Sequence, residues 1–176
     1  MIIDLLRNQL GVAWALLDYH LVDLDGEDLH WSPCDLSWDV RFIENTWVPD
    51  WQDIEPQPIP VPTVAWLTWH IGWWWSTALA HLRHVPAPHR RNVAWPGDVN
   101  STVTWLHQIH LEWLDALQTC PDLEAPSAFP WESGFGFSRA DMCAWVAIEL
   151  TKNAAELGQL KLIRRASEPT TRLPQV

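Results

Sequence analysis

Four long stretches of the chain carry apolar residues at the three- and four-residue intervals of an α-helix, and proline-rich stretches separate them. The first apolar stripe runs from Ile3 to Leu24 and is followed by Gly26, a helix stop signal. The same periodicity predicts helices over about 62–84, 99–118 and 138–165. Because no convincing strand pattern competes with these helices, the sequence predicts an all-α four-helix bundle.

The segment between the first two helices, Asp25 to Val61, is too rich in proline to continue a helix. We predict a long loop packed by its own aromatic rings, and loops of this length are often functional. Within it, Val40-Arg-Phe-Ile could form a short strand. The prolines are Pro33, Pro49, Pro56, Pro58 and Pro60, and the tryptophans are Trp31, Trp38, Trp47 and Trp51.

The length of 176 residues fits one domain, which we place over residues 1–166 and which a flexible tail over 167–176 follows. The chain has a formal net charge of -11 and only 11 lysines and arginines. Phosphate binding needs clustered cations, so this composition argues against a nucleic-acid-binding protein. It also argues against binding to an anionic membrane surface.

A tryptophan-rich stretch from Val64 to Leu82 is the one segment that resembles a membrane span. His70 and His81 lie within it and Arg83 follows, so we predict a buried bundle helix rather than a membrane-associated one. The N-terminal residues lack a secretory signal, and the cysteines form no CxxC pair. We therefore expect a cytoplasmic protein with reduced thiols. The cysteines are Cys34, Cys120 and Cys143.

One face of the last helix mixes apolar residues with two carboxylates and an amide, and a histidine lies on a similar face of the second helix. Burying a carboxylate alone is costly, so these groups need partners. We predict that His70 meets Glu149 and Asn153 inside the bundle, where such residues on facing helices can also build a metal site. The last-helix face comprises Met142, Val146, Glu149, Asn153, Glu156, Leu160 and Ile163. The second-helix face comprises Trp66, Leu67, His70, Trp74 and Thr77.

Simpler roles for these polar residues stay open. A single histidine on an apolar helix face is more often a hydrogen-bonded core residue than a metal ligand. Glu156 could pair with Lys152 at the i, i+4 spacing near the surface. Glu149 could instead pair with His107 or His110 of the third helix.

Two motifs resemble those of the DinB/YfiT-like superfamily. Pro62-Thr-Val-Ala-Trp-Leu-Thr-Trp-His70 is similar to the second-helix motif, in which an apolar run with Ala-Trp ends in a histidine. Glu149-Leu-Thr-Lys-Asn153-Ala-Ala-Glu156-Leu-Gly is similar to the fourth-helix motif, which commonly reads His-x-x-x-His followed by a small residue and Gln or Glu. Leu29-His-Trp-Ser-Pro-Cys and Ser37-Trp-Asp-Val-Arg resemble the preceding loop, so the resemblance covers nearly the whole chain.

This resemblance implies a four-helix bundle with a divalent metal, often zinc or nickel, held by three histidines. Characterised members of the family include transferases and isomerases that use the thiols bacillithiol or mycothiol. Carried over to this chain, the second-helix ligand is His70, the two fourth-helix positions are Glu149 and Asn153, and Glu156 is a fourth group.

Only one of the family's three histidines is present in this chain, and a neutral asparagine amide is a weak metal ligand. Two functions therefore compete. The first is a metal-dependent transferase or related enzyme with a degenerate metal site, acting on a small molecule or a low-molecular-weight thiol. The second is a non-catalytic, metal-free bundle, held by a hydrogen bond between His70 and Glu149, that serves as a small-molecule-binding or protein-interaction module.

The chain contains 15 tryptophans, and consecutive tryptophans of the second helix fan around the helix axis. We therefore expect that some of them are exposed or meet a partner chain, which favours a homodimer. The alternative is that the long loop covers these rings.

Overall fold

The computed structural model describes residues 2–132 and 134–167, which are mostly helical. The predicted helices are present with small shifts of their ends, and the last one continues through Ser167. The rest of the predicted tail, residues 168–176, lies outside the described residues. The long helices are α1 Ile2–Leu21, α3 Val64–Arg83, α4 Val99–Thr119 and α5 Arg139–Ser167. The short ones are α2 Gly26–Leu29 and a 3-10 turn at Arg90–Asn92.

Polar side chains fix where the long helices begin, because they accept hydrogen bonds from backbone N–H groups that have no partner within the helix. Thr63 caps α3 and Asp98 caps α4. A capping box begins α5: the Asp141 N–H donates to Ser138 Oγ at 3.2 Å, and the Ser138 N–H donates to Asp141 Oδ2 at 2.8 Å. Pro62 lies just before the α3 cap, in a short strand.

The long helices share one apolar core. Helix α1 packs against α5 and α4, and α3 packs against α4 and α5. Lys161 near the end of α5 binds the backbone of His20 and the carboxylate of Asp23 at the end of α1, so these two helices run in the same direction. Helix α3 runs the opposite way to α5, because Trp74 in its second half contacts Trp145 near the start of α5.

The tryptophan-rich helix α3 is buried on most sides, as predicted: 15 of its 20 residues are buried. The expectation that some of its tryptophans are exposed is wrong, since all five are buried or partly buried. The long loop covers three of them, because Trp38 and Trp51 stack near Trp66 and Trp51 also contacts Trp69 and Trp73. The rings of Trp74 and Trp75 instead contact Trp145 of α5 and Trp113 of α4. The helices in the described part of the chain include none that is both long and apolar enough to cross a membrane.

The long loop contains two small sheets, so the chain is mostly helical rather than all-α. Strands β2 (Val40–Ile43) and β3 (Thr46–Pro49) form the hairpin that includes the suggested strand over 40–43, with Glu44 and Asn45 at positive φ in its turn. Strands β1 (Ser37–Trp38) and β4 (Val61–Pro62) are parallel and bring the two ends of the loop together.

Candidate functional site

A pocket of about 360 Å³ opens between α3, α5 and the long loop. We call it the His70 pocket. Of the four residues predicted as metal ligands, His70, Asn153 and Glu156 line it, whereas Glu149 does not. The other lining residues are Trp38, Trp51, Gln52, Asp53, Glu55, Ile59, Pro60, Pro62, Trp66, Leu67 and Lys152.

His70 is a neutral imidazole in this pocket. Burial, and secondarily the positive charge of Lys152, lower the pKa of His70 to about 3. The ring stacks on Trp66, with the two ring centroids 4.7 Å apart. Its Nδ1 is buried and has no hydrogen-bond partner among the described residues. The buried side of the His70 ring therefore lacks the hydrogen-bond partner that a buried polar atom usually has.

Asn153 is the most deeply buried polar residue of the pocket, with 1% of its surface exposed. Its Nδ2 donates a hydrogen bond to Glu156 Oε2 at 3.0 Å. Its Oδ1 is buried, and no donor within residues 2–132 or 134–167 reaches it. Because an unpaired buried amide oxygen costs free energy, this atom indicates a site that a ligand or water completes.

Glu149 does not make the predicted hydrogen bond to His70. Its carboxylate instead pairs with Lys152 Nζ at 2.9 Å, and the two side chains are 24% and 52% exposed. Next to the neutral His70 ring the carboxylate would lose its hydration without gaining an opposite charge. Glu149 avoids this cost by pairing with the solvated ammonium group of Lys152. Glu149 thus acts on the pocket only through Lys152, whose charge it balances.

The simpler pairings suggested for these residues do not occur either. Glu156 bonds to Asn153 rather than to Lys152. His107 pairs with Asp18 of α1 at 3.0 Å, and His110 stacks on Trp14 with their centroids 4.1 Å apart. Both histidines therefore contact α1 rather than Glu149.

The long loop supplies a large part of the wall, which the sequence prediction did not assign residue by residue. Trp38 and Trp51 contribute indole rings, and the carboxylates of Asp53 and Glu55 lie at the rim. The Arg90 guanidinium lies 5.2 Å from the Trp51 ring centroid and pairs with Asp53 at 2.6 Å. The signal that could have found these residues was the density of tryptophan and proline in a long loop.

A sequence model of the DinB superfamily matches residues 9–157, which include all four predicted ligand positions. The chain belongs to the DinB superfamily. No curated protein and no solved structure matches it. Membership supports the resemblance seen in the two helix motifs, while function has to be argued from the pocket itself.

The pocket residues of this DinB-superfamily protein do not fit a zinc or nickel ion. The three that share the pocket provide one imidazole, one amide and one carboxylate, and that carboxylate already accepts a hydrogen bond from the amide. Within the described ranges, no group of three or more His, Cys, Asp or Glu side chains could hold a metal ion. Zinc sites ordinarily use at least three imidazole, thiolate or carboxylate ligands, so this donor set is too weak.

The cysteines offer no nucleophile to the pocket. Burial raises the pKa of Cys143 to about 12, so this thiol stays protonated and packs as a small core residue. Cys34 is exposed and Cys120 is partly buried, and all three cysteines are free thiols. None of them lines the His70 pocket.

Proposed function

We propose that this protein is a four-helix bundle of the DinB/YfiT type whose His70 pocket binds a small organic cation without a metal ion. The observation that carries the proposal is the Asn153 Oδ1 atom, which is buried in the pocket lining and has no donor among the described residues. Such an atom is satisfied when a ligand donates a hydrogen bond to it. The pocket then acts as a binding module rather than an active site.

The free hydrogen-bonding groups of the pocket are mainly acceptors, beside one unpaired donor, the Nε1–H of Trp51. Asn153 offers its amide oxygen, because its nitrogen already donates to Glu156. Glu156 offers carboxylate lone pairs, and the neutral ring of His70 offers one nitrogen as an acceptor. A ligand that matches these groups carries several N–H donors, as a primary ammonium does.

The charges around the pocket also favour a cation. Lys152 is balanced by Glu149, and Asp53 is balanced by Arg90. Glu55 and Glu156 have no ion-pair partner in the part of the chain that the structure describes. Two unbalanced carboxylates in a concave site attract positive charge and repel anions.

The aromatic walls provide a second means of holding a cation. Trp38, Trp51 and Trp66 line the pocket, and the faces of indole rings attract ammonium and guanidinium groups. The rim already shows this interaction, since Arg90 lies over the ring of Trp51. Aromatic walls, acceptors and carboxylates therefore select the same ligand class.

The test uses three probes with one aromatic ring each, measured by isothermal titration calorimetry. Benzylamine supplies a positive charge and N–H donors, benzyltrimethylammonium supplies the charge alone, and benzoate supplies a negative charge. We expect affinity to decrease in that order, with no measurable binding of benzoate. Equal binding of benzoate and benzylamine would contradict the proposed charge preference.

Glu156→Gln keeps the size of the side chain and removes its charge. We expect it to weaken benzylamine binding by about tenfold or more, because hydrogen bonds to charged groups contribute roughly 1.5–3 kcal/mol. The matched control is Glu112→Gln, a partly exposed glutamate of α4 that pairs with Arg83 and does not line the pocket. An equal loss of affinity in both variants would place the effect outside the pocket.

The metal-free part of the proposal has its own test. Protein purified without a histidine tag is analysed for zinc and nickel and is then titrated with each ion. We expect no stoichiometric metal and no specific binding. One tightly bound ion per chain that His70→Ala removes would overturn this part and would favour a metal-dependent, thiol-linked enzyme instead.

A further inference from the structure

A second cavity adjoins the His70 pocket. It has a volume of about 550 Å³ and lies between α5 and the long loop. We call it the apolar groove. Four residues line both cavities, so the pocket and the groove share a wall. The shared residues are Ile59, Pro60, Pro62 and Glu156.

The α5 wall of the groove continues the helix face that carries the acceptors of the His70 pocket. Asn153 and Glu156 line the pocket. Leu160 and Ile163 line the groove, and they lie four and seven residues beyond Glu156, on the same side of the helix. Glu156 therefore stands where the pocket ends and the groove begins.

The surface of the groove is apolar and open to solvent. Glu156 is the single charged residue among the described residues that line it. The apolar side chains keep part of their surface in water, with exposed fractions of 49% for Ile59, 38% for Val61 and 40% for Ile163. Because removing such surface from water is favourable, the groove favours an apolar occupant.

The carboxylate of Glu156 restricts which apolar occupant is suitable. A purely apolar group that covered this end of the groove would take the carboxylate out of water without an opposite charge, which is costly. An apolar chain that carries an ammonium group at this end supplies the missing charge. The ammonium group bound at Asn153 and Glu156 in the proposed function has the groove directly beside it.

The length of the groove indicates the length of the chain. Glu156 and Ile163 are seven residues apart, which corresponds to about 10.5 Å along a helix. An extended alkyl chain advances roughly 1.25 Å per carbon, because its C–C bonds are about 1.5 Å long and meet at tetrahedral angles. A chain of about eight carbons therefore spans the groove.

We propose that the apolar groove holds the unbranched hydrocarbon chain of the same ligand whose cationic group binds in the His70 pocket. The ligand is then a primary amine with a chain of about eight carbons. This inference rests on the proposed function and adds the chemical class of the ligand to it. The acceptors of the pocket recognise one end of the molecule, and Leu160, Ile163 and the loop wall recognise the other.

The test is isothermal titration calorimetry at pH 7 with butylamine, hexylamine, octylamine and decylamine. We expect the affinity to rise by about two- to fourfold for each added methylene up to octylamine, as each one is removed from water. Decylamine should gain little more, because its last carbons extend past Ile163. Octanol, which has the chain without the charge, should bind more weakly than octylamine.

The outcomes separate this inference from the proposed function. Measurable benzylamine binding with octylamine no tighter than butylamine would overturn the groove proposal and leave the cation proposal intact. Octanol that binds as tightly as octylamine would mean that the chain binds without a cation, which contradicts both. No binding of any amine, benzylamine included, would also contradict both.

A substitution at the far end of the groove tests where the chain lies. Ile163→Gln places a polar amide there and should weaken octylamine binding by about tenfold, while the shorter butylamine binds as before. The matched control is Leu162→Gln, which alters a 63% exposed neighbour in α5 that does not line the groove. Equal losses for butylamine and octylamine in Ile163→Gln, or an equal loss of octylamine affinity in both variants, would contradict the proposal.

Cys34 offers a measurement that does not depend on affinity. Its thiol is exposed and lies on the loop side of the groove. Saturating octylamine should slow the alkylation of Cys34 by iodoacetamide, measured by mass spectrometry of the peptide that contains it, whereas saturating butylamine should not. An unchanged alkylation rate with octylamine bound would place the chain outside the groove and overturn the proposal.

Discussion

The imidazole of His70 differs from an ordinary surface histidine because the folded protein holds it neutral far below the usual pKa of 6.5. The ring lies against Trp66 and has one buried nitrogen without a partner among the described residues. Protonation would place a charge in this poorly solvated site and beside the positive Lys152. The folded state therefore resists a proton that the unfolded chain accepts.

This difference predicts how stability depends on pH. Between pH 6.5 and about 3 the unfolded chain binds a proton at His70 that the folded chain does not, so the free energy of unfolding falls as the pH falls. Above pH 6.5 both states leave the ring neutral and the contribution is constant. One such group gives a slope of at most about 1.4 kcal/mol per pH unit. Urea denaturation at pH 7 and pH 5 measures the slope.

The comparison needs a variant and a control. His70→Gln should reduce the loss of stability between pH 7 and pH 5, although His110, whose pKa burial lowers to about 4, keeps part of it. His84→Asn alters an exposed histidine whose side chain makes no hydrogen bond among the described residues, and it should leave the loss unchanged. The same loss in the unaltered protein and in His70→Gln would show that His70 does not resist protonation.

Periodicity could predict which single residues face the interior, but not which partner each one chooses. The 100° step per residue placed His70 and Asn153 towards each other across α3 and α5, and both line one pocket. Glu149 shares the same helical face, but its flexible side chain reaches Lys152 instead. Residue spacing contains no information about the rotamer that decides between these partners.

At the scale of elements, two glycines in helices have opposite surroundings. A Cβ added at Gly72 in α3 would overlap the ring of Trp105 in α4, so the absent side chain lets these helices approach closely. A Cβ added at Gly11 in α1 would have no atom within 4 Å apart from its chain neighbours and the backbone of its own helix. Packing therefore requires a glycine at position 72, whereas at position 11 there is room for a side chain.

We expect the same substitution to have opposite effects at the two glycines. Gly72→Ala should lower the free energy of unfolding by about 1–3 kcal/mol, because Trp105 has to move. Gly11→Ala should raise it by about 0.5–1 kcal/mol, since alanine is the better helix former and meets nothing. Chemical denaturation of both variants measures the change, and two shifts of the same sign would contradict this account of the helix contact.

The elements that depend on local sequence were predictable, and those that depend on distant pairing were not. The signals that set the helix ends, which are apolar spacing, prolines and capping residues, lie within each helix or directly beside it. The ends of α3, α4 and α5 therefore fall close to their predicted positions. The suggested strand over 40–43 pairs with its neighbour through a tight turn. The parallel pairing of Ser37 with Val61 joins residues far apart in the loop, and no local sequence pattern predicts it.

At the scale of the whole molecule, the end of α5 holds the segment that follows α1. The Arg164 guanidinium donates hydrogen bonds to Asp28 at 2.6 Å, to Asp25 at 2.7 Å and to Glu27 at 3.3 Å. The side chain of Asp28 is fully buried and that of Arg164 is 8% exposed. The two residues are separated by 136 positions, so no local pattern in the sequence predicts this pair.

This buried pair predicts a large loss of stability when the arginine is removed. Arg164→Met leaves the Asp28 carboxylate buried without its cation, which should lower the free energy of unfolding by roughly 3 kcal/mol. Arg41→Met removes an ion pair whose arginine side chain is 54% exposed, and it should cost at most about 1 kcal/mol. Urea denaturation at pH 7 compares the two, and similar losses would mean that Asp28 does not depend on Arg164.

The long loop closes the His70 pocket with Gln52, Asp53 and Glu55, which are exposed and take no part in the helix core. Substitutions at such positions generally change stability by less than about 0.5 kcal/mol. Substitutions in this segment can consequently change the ligand preference of the pocket while the helical scaffold keeps its stability. Relatives whose loops differ in sequence would then bind different ligands. A small library randomised at these three positions would offer a practical route to redesigned binders.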